Sequence, residues 1–310
     1  MKSTIFKKTL SFILCAIIVT ALAACQAKTP SGGDAAAVNL REKLASLMVS
    51  TDKLGLTGKY SSIAEIADGS VDPDLVGTWV MADGRMSYTY SADGSIAVKS
   101  EDYGDSEVRF TCLEIDGYQL ICEELIVSPE FNDGVEEETT QLGYTAYDVS
   151  NDAMYMVTVE EPSEDTNSSH STLVTMYRAD ENGSAAASMA GSPVAISTFD
   201  GTWATDKGEL TITDGVLTLG GDSYTVSLDE KNQLVVEKDG RSTVYATGVG
   251  VMKEYDDEDR TQTVEKTMLS LNYTGTDEND KPNLLPVLDD WKTDYGWDSW
   301  YYTGSFELRP

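Results

Sequence analysis

Three groups of residues in this chain have the side-chain types that chemistry requires. The one histidine, His170, lies in EPSEDTNSSHSTLV beside Ser168, Ser169 and Ser171, the residues a serine nucleophile and its base would use. Proximity in sequence is not that arrangement, because a working base is assembled in space and oriented by a third group. Ser50-Thr51-Asp52-Lys53 has the Ser-x-x-Lys spacing of an acylating serine, but such a site needs further motifs that this chain lacks. No Gly-x-Ser-x-Gly elbow and no phosphate-cradling glycine loop occurs. With 53 acidic residues, carboxylate pairs suited to glycoside hydrolysis arise everywhere by chance. The expectation is therefore no catalytic residue and no cofactor. A hydrolase stays open only if folding brings a nucleophile and a base together in a pocket.

Hard oxygen ligands concentrate at Glu136-Glu137-Glu138, Asp256-Asp257-Glu258-Asp259 and Asp277-Glu278-Asn279-Asp280. None has the alternating spacing and central glycine of a calcium loop, so they read as solvated loops and no metal is expected. Cys112 and Cys122 flank a tight turn in RFTCLEI-DG-YQLICEEL. A two-residue loop at Asp116-Gly117 pairs Thr111 with Cys122 and Cys112 with Ile121. A disulfide would need a one-residue slip that scrambles the apolar face, so two unpaired thiols are favoured.

The elements that must position such groups are mostly strands. Eight Asp-Gly pairs occur, six of them between strand-like runs, and Asp-Gly readily adopts the positive backbone angles of a hairpin. In GELTIT-DG-VLTLGG, closing the loop at Asp214-Gly215 sets Ile212 opposite Leu217 and Leu210 opposite Leu219, with Thr211 meeting Thr218 on the other face. One face is apolar and the other polar, as in an antiparallel sheet over a core. Helix signal is confined to AAVNLREKLASLMVS, with Asn39 as cap and Leu40, Leu44, Leu47 and Met48 on one side, and to a short C-terminal candidate, PVLDDWKTDYG. The first helix either packs across a barrel end or lengthens a stalk. ADENGSAAASMAGSPVAIS reads as a linker.

The N-terminus carries an address. Lys2, Lys7 and Lys8 precede LSFILCAIIVTALAA, an apolar run of 15 residues, where a stable span needs about 20. Its exit, Leu22-Ala23-Ala24-Cys25, resembles the lipobox of bacterial lipoproteins. That resemblance implies cleavage before Cys25 and a diacylglyceryl group on its thiol; the alternative is an uncleaved anchor helix on the same side of the membrane. Two acyl chains, at about 0.8 kcal/mol per buried methylene, hold a protein stably. QAKTPSGGDAAA would follow as a flexible tether reaching roughly 20 Å. Cleavage removes Lys2, Lys7 and Lys8, leaving 19 basic against 53 acidic residues, a formal charge of −34. Such a surface repels nucleic acid and anionic headgroups, so membrane contact falls to the tether.

DLVGTWV and TFDGTWA place Gly-Thr-Trp at 77–79 and again at 201–203. In each case a second glycine follows seven residues later (Gly84, Gly208), and a last strand carries an arginine, Arg178 or Arg309. The repeated frame resembles the lipocalin-like (calycin) barrels, in which a Gly-x-Trp opens the first strand and an arginine of the last strand lies across the tryptophan ring. The resemblance implies an all-β fold of two tandem antiparallel up-and-down barrels, with β-sandwiches as the alternative and a short N-terminal helix. Carried over residue by residue, it makes Gly77, Trp79 and Arg178 the closing group of one barrel, and Gly201, Trp203 and Arg309 that of the other. Guanidinium over indole is worth about 0.5–2 kcal/mol. The expected divisions are signal 1–24, tether 25–38, helix and lead-in 39–74, first barrel 75–180, linker 181–198 and second barrel 199–310.

WKTDYGWDSWYYTGSF holds three of the five tryptophans. Trp291, Tyr295, Trp297 and Tyr301 offer flat rings with polar edges, which suit a sugar or a protein partner; burial by a folded-back segment is the plainer alternative. The expected function is a non-enzymatic binding module, lipid-anchored on the extracytoplasmic face of a bacterial membrane. Its ligand is either an apolar small molecule inside a barrel, which requires a cavity of about 300 Å³ or more, or a glycan or protein on the aromatic cluster.

Overall fold

The computed structural model describes residues 37–101, 104–127, 139–159, 168–205, 208–255, 263–273, 284–285, 289–292 and 300–309. The signal segment, Cys25, the tether before residue 37 and the three acidic runs lie outside the described residues.

Each half of the chain closes its own antiparallel barrel of eight strands. The first comprises β1 Gly77–Met81, β2 Met86–Tyr90, β3 Ser95–Ser100, β4 Ser106–Ile115, β5 Tyr118–Val127, β6 Thr139–Ser150, β7 Ala153–Thr158 and β9 Val174–Arg178, with β9 returning to β1. The second comprises β10 Gly201–Thr205, β11 Gly208–Thr213, β12 Val216–Leu219, β13 Asp222–Leu228, β14 Leu234–Lys238, β15 Arg241–Tyr255, β16 Thr263–Tyr273 and β18 Trp300–Leu308, which closes on β10. Closure ties the end strands of each sheet together, β9 to β1 and β18 to β10, which a pair of sandwiches would not have done.

Turn chemistry sets the registers. Asp116-Gly117, Asp214-Gly215 and Asp239-Gly240 have positive φ at both residues, the backbone that twists with the strands. At 83–84 and 93–94 only the glycine is positive, and longer loops result. Asn151-Asp152 forms the same doubly positive turn without glycine. The ladders pair Thr111 with Cys122, Cys112 with Ile121, Leu210 with Leu219 and Ile212 with Leu217, as the alternation requires. Cys112 and Cys122 are both buried and unpaired.

The simple rule of one apolar face holds for β12, whose residues alternate exposed and buried, but fails for β7, which is buried along nearly its whole length. The outer face of the first barrel is covered. Leu113, Leu120, Cys122 and Val157 join one core with Leu44, Leu54, Leu56 and Ile66 of the lead-in, while Trp79, Tyr90, Ile96 and Met176 form the core inside the barrel. Helix α1, Leu40–Leu47, is capped by the Asn39 side chain, which accepts from the Arg41 and Glu42 backbone N–H groups, and buries Leu40, Leu44 and Leu47. It packs on β6 and β7 of the first barrel and on β15 of the second. The Leu40 N–H donates to Thr198 Oγ1, and Lys43 Nζ lies 2.8 Å from Asp148 Oδ2.

One expectation needs correction, and two of the expected divisions carry structure of their own. PVLDDWKTDYG does not supply a helix at its centre: Asp289–Lys292 is strand β17, paired with β18 beyond the point where β10 ends. An open ladder edge outweighs local propensity there. The expected linker, residues 181–198, contains α3, Ala186–Gly191, with Met189 buried, and its Val194 bridges in parallel to Val38. The domain division at 180 is also crossed. Strand β8, Ser168–Thr172, leaves the first barrel and pairs with β15 from Gly250 to Glu254, past the end of β14.

Candidate functional site

The Gly-x-Trp positions close the barrels, but not identically. Trp79 is fully buried and its Nε1 donates to the Leu75 carbonyl at 2.7 Å; Trp203, equally buried, donates to the Phe199 carbonyl at 2.7 Å. Gly77 and Gly201 have φ of 132° and 143°, a region that side chains avoid. A Cβ on Gly77 would meet Arg178 Nη1 at 2.9 Å, and one on Gly201 would meet Leu308 Cδ1 at 2.5 Å. Arg178 Cζ sits 4.2 Å from the Trp79 ring centroid. Its Nη1 and Nη2 donate to the Val76 and Asp74 carbonyls, and its Nε is 3.3 Å from Asp152 Oδ1.

Arg309 does not occupy the matching place. Arg178 stands opposite Trp79 in the β1–β9 ladder, whereas Leu308 stands opposite Trp203 in the β10–β18 ladder. One residue further along a strand points to the other face. Arg309 is half exposed and meets Glu307 at 3.1 Å. The cation near Trp203 is instead Arg41 of α1, 5.8 Å from the ring centroid and donating to the Ser197 carbonyl. The helix thus also serves the end of the second barrel.

Inside the first barrel the side chains leave little space. A cavity of about 20 Å³ remains, lined by Tyr88, Tyr90, Glu123, Thr145 and Met156 among others. One water needs about 10–15 Å³, so this is a water-sized gap and not a ligand chamber. Glu123 faces it, and burial pushes its carboxyl up to about 7. The same desolvation, with Glu123 nearby, raises the Tyr88 and Tyr90 hydroxyls. Burial pushes the Cys122 thiol up to about 12, which keeps it protonated and unreactive.

The larger space lies between the barrels. A cleft of about 120 Å³ is bounded by Leu40, by Met81 at the end of β1, by Leu173 and Val174 ahead of and in β9, and by the outer side of β15 and β16 at Gly248, Ser270 and Asn272. The β13–β14 turn adds Lys231, Asn232 and Gln233. Asn232 is fully engaged: its amide donates to Tyr177 Oη and the Ser192 carbonyl and accepts from the Val194 N–H. Composition gave no signal for this site, because its walls come from both repeats, the linker and α1.

The nucleophile candidates separate in space. Ser50 caps helix α2, Thr51–Leu54, accepting from the Lys53 N–H, so Ser-x-x-Lys here is a helix start. His170 is exposed on β8 opposite Met252. Among the described residues no group of acids, histidines and cysteines could hold a metal, and no helix is long and apolar enough to cross a membrane. Of the aromatic cluster, Tyr295 and Trp297 lie outside the described residues; the β17–β18 register sets Trp291 opposite Tyr301.

These features define an all-β protein of two closed barrels joined side to side. Comparison with protein-family profiles, with curated proteins and with solved structures finds no match.

Proposed function

We propose that this chain is a lipoprotein with two lipocalin-like barrels, tethered through Cys25 to the extracytoplasmic face of a bacterial membrane, and that it works by binding rather than by catalysis. The observation that carries the binding reading is the cleft of about 120 Å³ between the barrels, smaller than the roughly 300 Å³ of a drug-sized pocket and so suited to a small ligand. The first barrel's interior, at about 20 Å³, weighs against an apolar ligand inside it. The ligand seat proposed here is therefore the junction and not the first barrel's interior. A surface reading keeps one support: β17 carries Trp291 in register with Tyr301 and pairs, among the described residues, with β18 alone.

Native mass spectrometry of the membrane-extracted protein tests both halves. The expected spectrum has a diacylglyceryl mass on Cys25 and a second, noncovalent small mass. An unmodified Cys25 would remove the anchor. A ligand-free protein that instead retains a glycan or a protein would move the reading to the aromatic edge.

A further inference from the structure

The cleft between the barrels has a mixed lining, apolar on several sides and polar elsewhere, with two carboxamides that stand apart. On β15, Ala246 and Gly248 present almost no side chain to the cleft, and a Cβ on Gly248 would come within 2.7 Å of Ser270 Oγ. Leu40, Met81, Leu173, Val174 and Val194 supply apolar walls. Within this lining, Asn272 is only 7 % exposed and Gln233 only 8 %. Neither side-chain amide has a hydrogen-bond partner among the described residues. Their neighbour Asn232, by contrast, uses both its donor and its acceptor. Both amides line the cleft with polar atoms that are not sealed from it, so a group that enters from outside can pair with the two at once.

We infer that the cleft binds a small uncharged molecule whose polar groups are amide edges, each presenting a donor beside an acceptor, on an apolar body. This rests on the binding reading above and names its ligand class. The chemistry follows from matching the lining. A carboxamide side chain offers a carbonyl acceptor and an NH₂ donor side by side, which an amide edge of the ligand complements in both directions at once. A net ion is disfavoured, because the two charged residues of the lining, Asp83 and Lys231, are of opposite sign and leave no uncompensated charge for it to meet. At about 120 Å³, and about 10–15 Å³ per water-sized group, the cleft takes roughly ten non-hydrogen atoms, the size of a capped amino acid or a cyclic dipeptide.

The test uses the complete mature chain in titration calorimetry and thermal-shift measurements, with N-acetyl-alanine N′-methylamide, free leucine and glucose as probes. The diamide is expected to bind and to raise Tm, and the zwitterion and the sugar are not. Asn272→Leu and Gln233→Leu are each expected to weaken diamide binding roughly tenfold or more. Both should leave the ligand-free Tm unchanged or higher, because each replaces an unpartnered amide by an apolar group of similar size; a purely structural amide would give a lower Tm. Diamide binding that survives both substitutions overturns the site. Binding of glucose or leucine in place of the diamide overturns the ligand class while leaving the binding reading intact. A chain that binds none of the three and carries no copurified mass in native spectra overturns both.

Discussion

Glu123 is the residue whose environment conflicts most with its ordinary chemistry. It points into the first barrel opposite Phe110 and Gly143, beside Tyr88 and Tyr90, and burial raises its carboxyl from 4.5 to about 7. The sign follows from linkage: a raised folded pKa means the native state holds its proton more tightly than the unfolded chain. Below pH 4.5 both states are protonated and the contribution is complete. Between 4.5 and 7 the unfolded chain ionises first, and stability falls until the folded carboxyl also ionises. At about 1.36 kcal/mol per unit, the loss approaches about 3 kcal/mol. Glu123→Gln should therefore be more stable than the parent at pH 8, with the difference shrinking towards pH 4. Urea midpoints at several pH values check this; parallel profiles for the two proteins would show that Glu123 ionises freely inside the fold.

At the scale of elements, β15 does more than a barrel strand needs to. Its first five residues pair with β14, and its later stretch pairs with β8 from the other half of the chain. Gly250 is the closest point: a Cβ there would lie 2.9 Å from the Ser171 carbonyl oxygen, a backbone atom that cannot swing aside. Gly250→Val should push β8 off, costing about 1–3 kcal/mol. Hydrogen exchange should show amides 168–172 losing protection while β10–β13 keep theirs; unchanged protection in β8 would mean the ladder tolerates the side chain. Elements like this mark where the sequence stopped being legible. Hairpins were readable because Asp-Gly fixes the turn and the turn fixes the register, as at Asp214-Gly215. Both Trp79 and Trp203 announced a barrel start. Arg309 misled because only the β10–β18 pairing decides which face a residue near a strand end takes. The β8 crossover and the cleft were silent, since each depends on long-range pairing between segments with no shared local pattern. Gln233 and Asn272 look like ordinary surface amides until the barrels are side by side.

At the scale of the whole molecule, the two repeats are closed barrels that nonetheless share one core. Leu44, at 2 % exposure, belongs to the same cluster as Leu120 and Tyr155 of the first barrel and Trp203 and Leu271 of the second. Helix α1, strand β8 and the Val38–Val194 bridge all cross the junction. Barrels linked only by a flexible chain would unfold independently, because nothing lost in one would be felt by the other. Here, melting either barrel strips the apolar cover from α1 and exposes the outer face of its neighbour. The complete chain should thus show a single calorimetric transition, with van't Hoff and calorimetric enthalpies equal. Leu44→Ala removes a buried α1 side chain from this shared core and should cost about 2–5 kcal/mol. More tellingly, it should split the transition, because the barrels keep their own ladders and closing tryptophans while losing the contact that couples them. Differential scanning calorimetry of both proteins decides the matter. Two separate transitions in the parent chain would mean the shared core does not couple the barrels, and the cleft between them would then be too mobile to hold two amides in place for a ligand.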